Sequence, residues 1–463
     1  MSIVATRVRM GDALSAARRR LPAVAGVTAV AAVAVGLGLA AAGLGPWSLA
    51  GAAVILLIGL AAVDLALIPV LAMPATLATM RAGGVLSFAD LVLAAASVAA
   101  LIKLRGRGGV ALQPLIWAGL AYLVVILPTL ILNRFSANYI EWAHELFLVI
   151  GSLVVGFVIA REGRAKAAFG LYGLACSAIG IAAGVIALQS FASTGAFQAV
   201  YLGDLHKNTI GGMLAAALVI AYARPRWLDW PGWFSNLVLL CSGIGVAASQ
   251  SRQGMVGALV GVFIVSLRSP AIGRWARRAI WAAGVPIVFL VWQQVSSQLA
   301  SGNQFNSAYQ RLAWYAQSID VWHSSPIFGV GLRWWYTSTF GVSFQPPNAE
   351  LEVLTCVGVV GLLGFFAMFA GSSWVLLRVD PMYGTVGAAV VLARFTQAQF
   401  DLYWVAGQAS LLWIVAGACL GAMVRDAAER PELALAAPAP APLPSRANPS
   451  RPNPPRPNRG ALR

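Results

Sequence analysis

Residues 351–377 read LEVLTCVGVVGLLGFFAMFAGSSWVLL, and Glu352 is the only charged side chain in the stretch. As a helix at about 1.5 Å per residue, a run of this length rises about 40 Å, enough to cross a hydrocarbon core of roughly 30 Å. Backbone amides in lipid have no water to bond, so they must bond one another, and such a run is a transmembrane helix. Similar runs recur at 22–41, 47–63, 65–80, 86–102, 111–132, 142–160, 168–191, 209–223, 233–248, 254–267, 279–297, 383–400 and 404–424. Pro69 and Pro74 interrupt the third of these and Asp64 stands at its start, so a re-entrant or interfacial segment is the alternative there. The pattern predicts an all-α polytopic transmembrane bundle of 12–14 spans with one long external loop.

Composition agrees with that pattern. Of 463 residues, 59% are hydrophobic and 10% charged, where soluble domains carry about 25% charged residues. A water-soluble globule is excluded. The net charge of +16 has no soluble basic domain behind it, so nucleic acid is not an expected partner; the lipid bilayer is. Cys176, Cys241, Cys356 and Cys419 lie singly inside apolar runs, which indicates neither a disulfide framework nor a zinc site. Arg7, Arg9, Arg18, Arg19 and Arg20 precede a first apolar run longer than a signal-peptide core of about 7–15 residues, so that run reads as a retained span.

Lysine and arginine in short loops set orientation. The N-terminal arm, Lys103/Arg105/Arg107, Arg161/Arg164/Lys166, Arg224/Arg226, Arg268/Arg274/Arg277/Arg278, Arg378 and the C-terminal tail alternate onto one side. The other side receives only Arg81, Arg134, Lys207, Arg252, Arg311 and Arg333, with Arg394 inside a span. Both termini are then cytoplasmic, in a multi-pass protein of the plasma (inner) membrane. The expected organisation is a basic arm at 1–20, an N-terminal bundle at 21–298, an external loop at 299–347, C-terminal spans at 348–425 and a disordered Pro/Arg-rich tail at 426–463.

Outward-facing cations run against the usual sorting, and an anionic substrate is the simplest reason for them, since arginine and lysine recognise phosphate oxygens. Lys207 and Asn208 open one span, Ser251-Arg252-Gln253-Gly254 another, and Arg311 and Arg333 lie in the long loop with Trp334, Trp335 and Tyr336. The alternative is that each cation snorkels to headgroups or pairs with Glu141, Glu145, Asp204, Asp320, Glu350 or Glu352. The tryptophans are either sugar-stacking surfaces or part of an interfacial belt. His144, His206 and His323, the three histidines, also map outward, as candidate bases or as satisfied polar residues. Arg394 and Asp401 lie two helical turns apart near the end of a span, where they are either functional or an ion pair fixing the last spans.

Several pieces occur in a recognisable order: Lys207-Asn208 with Gly211-Gly212, Ser251-Arg252-Gln253-Gly254, Arg311-Leu312-Ala313-Trp314, Ser325-Pro326-Ile327-Phe328-Gly329-Val330-Gly331, and Pro347-Asn348 followed by Gly358-Val359-Val360-Gly361. In this order the chain resembles the O-antigen ligase and polymerase superfamily, polytopic glycosyltransferases that use polyprenyl-diphosphate-linked glycans. The resemblance implies metal-independent transfer of a glycan from that lipid donor to a sugar hydroxyl of a glycan or lipid-glycan acceptor, with no cofactor. Arg252 and Arg311 would neutralise the departing diphosphate, with Lys207, Asn208, Arg333, Asn348, Trp334 and Trp335 binding substrate. In the ligases the last motif opens with His-Asn, whose His is assigned as the base; Pro347 stands there in this chain. Glu350 is the preferred replacement, and the alternative is that Glu350 and Glu352 only favour a helix N-terminus. A multi-span transporter or flippase for a lipid-linked or anionic solute is the competing class, although no internal repeat supports it.

Overall fold

Apolar runs without helix breakers fold as helices throughout the computed structural model, which describes residues 63–79, 81–83, 86–104, 107–203, 205–269, 307–341 and 344–429, with scattered positions at 56–61 and 273–300. The basic arm, the span expected at 22–41, most of those at 47–63 and 279–297, and the tail past Glu429 lie outside the described residues. The described residues up to Arg425 form one compact unit, and the site belongs to it.

In chain order the helices are α1 (Leu67–Ala75), α2 (Phe88–Lys103), α3 (Gln113–Val125), α4 (Leu127–Leu132), α5 (Ser136–Leu146), α6 (Ser152–Arg161), α7 (Ala165–Thr194), α8 (Lys207–Ala223), α9 (Gly232–Ser249), α10 (Arg252–Arg268), α11 (Ser307–His323), α12 (Ala349–Arg378), α13 (Pro381–Ala398) and α14 (Ala406–Glu429). A short antiparallel pair, Arg81–Gly83 with Leu86–Ser87, precedes α2. Among the described residues, six helical stretches are long and apolar enough to cross a membrane: Gly109–Leu132, Ser136–Arg161, Ala165–Thr194, Gly232–Ser249, Ala349–Arg378 and Gly407–Glu429. The run expected at 65–80 yields only the 9 residues of α1, which rise about 14 Å and cannot span alone. This is the outcome its two prolines favour.

The helices are amphipathic in the inverted, membrane sense. On α7 the exposed residues are Leu171, Leu174, Ile181, Val185 and Leu188, while Ser177, Cys176, Gly173, Gly180 and Ala183 face inward. Small residues let backbones approach, and large aliphatic ones face what would be lipid. Helix α8 packs against α7, α9, α10 and α13, and is buried along most of its length. Helix α12 packs on α3 and α13, with α11 against it.

Three of the basic residues assigned by sequence to one side, Lys103, Arg161 and Arg164, come together around Asp64. Asp64 pairs with Lys103 at 3.2 Å and with Arg164 at 2.7 Å, and Arg161 donates to the Lys103 carbonyl at 2.6 Å. Burial alone would raise the Asp64 pKa, but the Ala66 N–H, Arg164 and Lys103 hold it below the usual carboxylate value.

Helix α12 is interrupted at Gly358, whose backbone sits at φ 70°, ψ −169°. The loop segment Pro326–Gly331 fills the break. Val330 and Gly331 donate to the Thr355 and Cys356 carbonyls, and Val359 and Val360 donate to those of Pro326 and Ile327, at 2.9–3.2 Å. Thr129 donates to the Phe328 carbonyl, Asn133 to that of Gly329, and the Leu332 N–H reaches Asn138. Irregular backbone at this position along a spanning helix is tolerated because the protein itself satisfies it. The loop is therefore more than a cover: one part is built into the α12 helix.

Candidate functional site

Three sequence motifs turn out to be helix N-caps. The His206 side chain accepts from the Asn208 N–H at the start of α8, Ser251 from the Gly254 N–H at the start of α10, and Asn348 from the Leu351 N–H at the start of α12. Each satisfies one of the donors that a helix start leaves orphaned. Helices α8 and α10 begin side by side because glycine faces glycine: a Cβ on Gly254 would lie 2.7 Å from the Gly211 carbonyl carbon.

The starts of α8, α10 and α12 and the side of α11 meet at one segment, Gln399-Phe400-Asp401, just past the end of α13. Asn348 donates to the Gln399 carbonyl at 2.9 Å, Arg311 of α11 to the Phe400 carbonyl at 2.6 Å, and Gln253 to the Asp401 carboxylate at 2.8 Å. Gln253 also reaches the Asn208 carbonyl at 3.2 Å. Lys207, Arg252 and Arg311 are thereby brought close enough to repel one another, each half-buried. Three positive helix ends and three cations converge, an arrangement suited to an anion. Tyr315 of α11 lies among Arg311, Asp401 and Glu350; burial raises its pKa, Arg311 opposes the rise, and the two carboxylates add to it. The Glu350 Oε2 atom is buried without a hydrogen-bond partner among the described residues.

Of the residues singled out from sequence, Lys207, Asn208, Arg252, Arg311, Asn348 and Glu350 belong to this group. Arg333, Trp334 and Trp335 sit elsewhere. Arg333 pairs with Glu141, and with Trp335 it lines a separate small cavity together with Tyr122, Glu145, Glu352 and Trp404. Burial opposes the Arg333 charge, but Glu141 alongside raises its pKa. Trp334 is 1% exposed, donates to the Thr355 hydroxyl at 3.2 Å, and meets Trp335 and Phe340 edge to face. A buried indole offers no face for a sugar to stack on; Tyr336, 53% exposed, is the aromatic the loop presents outward.

The remaining candidates resolve similarly. His144 is buried between Asp90 at 3.0 Å and Glu141 at 3.2 Å, and Asp90 also forms a capping box with Ser87. Arg394 does not pair with Asp401. It donates to Gln408 at 3.0 Å and to the carbonyls of Leu402 and Tyr403 at 3.0 and 2.8 Å. Gln399 and Phe400 enter through backbone carbonyls, which carry no sequence signal, whereas Asp401 enters through its carboxylate, as the acceptor of Gln253 and not as the ion-pair partner of Arg394. Ser251 and Asn348 did carry a sequence signal, the N-cap pattern.

His206 adds a pH-dependent element. Burial lowers its pKa, Asp401 opposes the shift, and Lys207 and Arg311 add to it, so the imidazole is neutral at pH 7. Its Nδ1 accepts the Asn208 N–H at 3.2 Å, which puts the proton on Nε2. A folded pKa below the ordinary histidine value of 6.5 means that the cap is in place above that value and is lost as pH falls through the lower folded pKa. A 15N-histidine NMR titration is expected to show His206 titrating below pH 6.5; titration above it would contradict this environment.

Over residues 237–366 the chain matches the family model described as O-antigen ligase. That stretch runs from within α9 to the middle of α12 and includes Arg252, Arg311, Arg333, Asn348 and Glu350, whereas Lys207 and Asp401 lie outside it. No curated protein matches the chain. The motifs from Ser251 to Gly361 whose order resembles that family fall inside this stretch, which is under a third of the chain and is similar to the O-antigen ligase model there.

Proposed function

We propose that this protein transfers a glycan from a polyprenyl-diphosphate carrier to a sugar hydroxyl at the external face of the plasma membrane, as a surface polysaccharide polymerase or ligase. One observation carries the reading: Lys207, Arg252 and Arg311 crowd together where α8, α10 and α12 begin. Like charges held together cost free energy unless an anion joins them, and a diphosphate supplies two phosphates for three cations. The acceptor oxygen attacks the anomeric carbon, the bond from that carbon to the diphosphate oxygen breaks, and the electron pair leaves on the diphosphate. Arg252, Arg311 and Lys207 stabilise that charge as it develops, which is the task for which preorganised cations are worth most. They fill the charge-neutralising role with no cofactor or metal required. Glu350, with its unpartnered oxygen near Tyr315, takes the acceptor proton.

Deleting the gene and analysing surface polysaccharide tests the reading. Missing polymer with single repeat units retained identifies a polymerase, and carrier-bound polymer that never reaches its acceptor identifies a ligase. Unchanged polysaccharide would remove both. For the orientation, a cysteine at Ser307 at the start of α11 is expected to label with an impermeant reagent from outside the cell. Labelling only after the membrane is opened would invert the topology.

A further inference from the structure

Five consecutive residues after α13 are each held by a different hydrogen bond. Gln399, Phe400 and Asp401 receive Asn348, Arg311 and Gln253, while the Leu402 and Tyr403 carbonyls receive the buried Arg394, itself anchored to Gln408 of α14. Past the end of α13 at Ala398 the chain runs as an irregular loop with no ladder to join, so side-chain donors take up its carbonyls. The segment is a fixed platform, and two of the proposed diphosphate ligands hang from it. Arg311 is tied to Phe400. Arg252 is tied one residue further on, through its neighbour Gln253 and the Asp401 carboxylate. The same Gln253 amide reaches the Asn208 carbonyl, adjacent to Lys207.

We propose that Asp401 is a positioning residue for the anion cradle, setting Arg252 and Lys207 against Arg311 by holding the Gln253 amide. A carboxylate suits this place better than a neutral acceptor, because its bond to Gln253 is charge-assisted and its charge offsets the three cations when no anion is bound. The Asp401 carboxylate is occupied by the Gln253 amide, whereas the Glu350 Oε2 has no hydrogen-bond partner among the described residues, so the role of Asp401 is distinct from that of Glu350. This inference rests on the reading of the cradle as a diphosphate site.

The test is equilibrium binding of undecaprenyl diphosphate to the purified full-length protein in lipid nanodiscs, with melting temperature measured alongside. Asp401→Ala is expected to weaken binding about 100-fold, the upper range for loss of one hydrogen bond to a charged group. Asp401→Asn keeps an acceptor for Gln253 and is expected to stay within about tenfold of the parent protein. Wild-type binding by Asp401→Ala, alongside loss in Arg252→Ala, would overturn the positioning role and leave the diphosphate reading standing. Equal loss in Asp401→Asn and Asp401→Ala would also overturn it, since an acceptor for the Gln253 amide would then make no difference. Wild-type binding by Arg252→Ala would sink the diphosphate reading itself. If Asp401→Ala does not fold, Gln253→Ala must show the same loss at unchanged melting temperature; wild-type binding there overturns the proposal.

Discussion

Arg252→Ala and Arg311→Ala are each expected to lower the proposed glycan transfer in cells by about 100- to 1,000-fold, the range seen when one preorganised charge-stabilising donor is removed from a transition state. Membrane abundance is expected to stay at the parental level. The size of the effect follows from where the side chains sit. Both are half-buried, at helix starts and on the loop helix rather than in open water, so neither is screened as a surface charge would be. The double variant is expected to lose little more than the worse single variant, because two groups acting on one leaving group are not additive. Quantifying surface polysaccharide against immunoblotted protein checks this. Full transfer with both arginines replaced would remove the mechanism.

Gly358→Ala is the second large effect, and it acts on folding. At φ 70°, ψ −169° the residue occupies a region open essentially to glycine alone. An added Cβ would stand 2.2 Å from the Ile327 carbonyl oxygen and 2.3 Å from its carbon, backbone atoms that cannot swing aside. Relief requires expelling Pro326–Gly331 from the break in α12, which breaks the four backbone bonds made there. The cost is on the order of 4 kcal/mol, strain and unsatisfied backbone groups combined. The variant is expected to be lost from the membrane or to aggregate on detergent extraction. Gly170→Ala, which meets nothing within 4 Å, is the matched control and should extract like the parent. A Gly358→Ala protein of parental melting temperature would refute the docked geometry.

The contrast between these two predictions separates what the sequence discloses from what it conceals. Apolar length disclosed the spanning helices, because the hydrocarbon requirement is local to each run. The prolines at 69 and 74 disclosed the weakness of the third run for the same reason. Arg252, Arg311 and Lys207 stood out because outward cations break a sorting rule. By contrast, Trp334 and Trp335 carry the composition of an interfacial belt, and only the fold shows that they pack against α12. Arg333 finds Glu141 far away in the chain, a pairing that no local pattern encodes. In the sequence Gly329 and Gly358 belong to two separate motifs, and their complementary geometry is visible only when loop and helix are seen together. The platform at 399–403 is the extreme case, since four of its five contacts use backbone carbonyls, which every residue possesses.

A cryo-EM map of the protein in nanodiscs with undecaprenyl diphosphate tests the central claim most directly. The account predicts diphosphate density within hydrogen-bonding distance of the Arg252 and Arg311 guanidinium groups and the Lys207 ammonium, at the starts of α8 and α10. Diphosphate density seated instead beside Arg333, or among Lys103, Arg161 and Arg164, would contradict it.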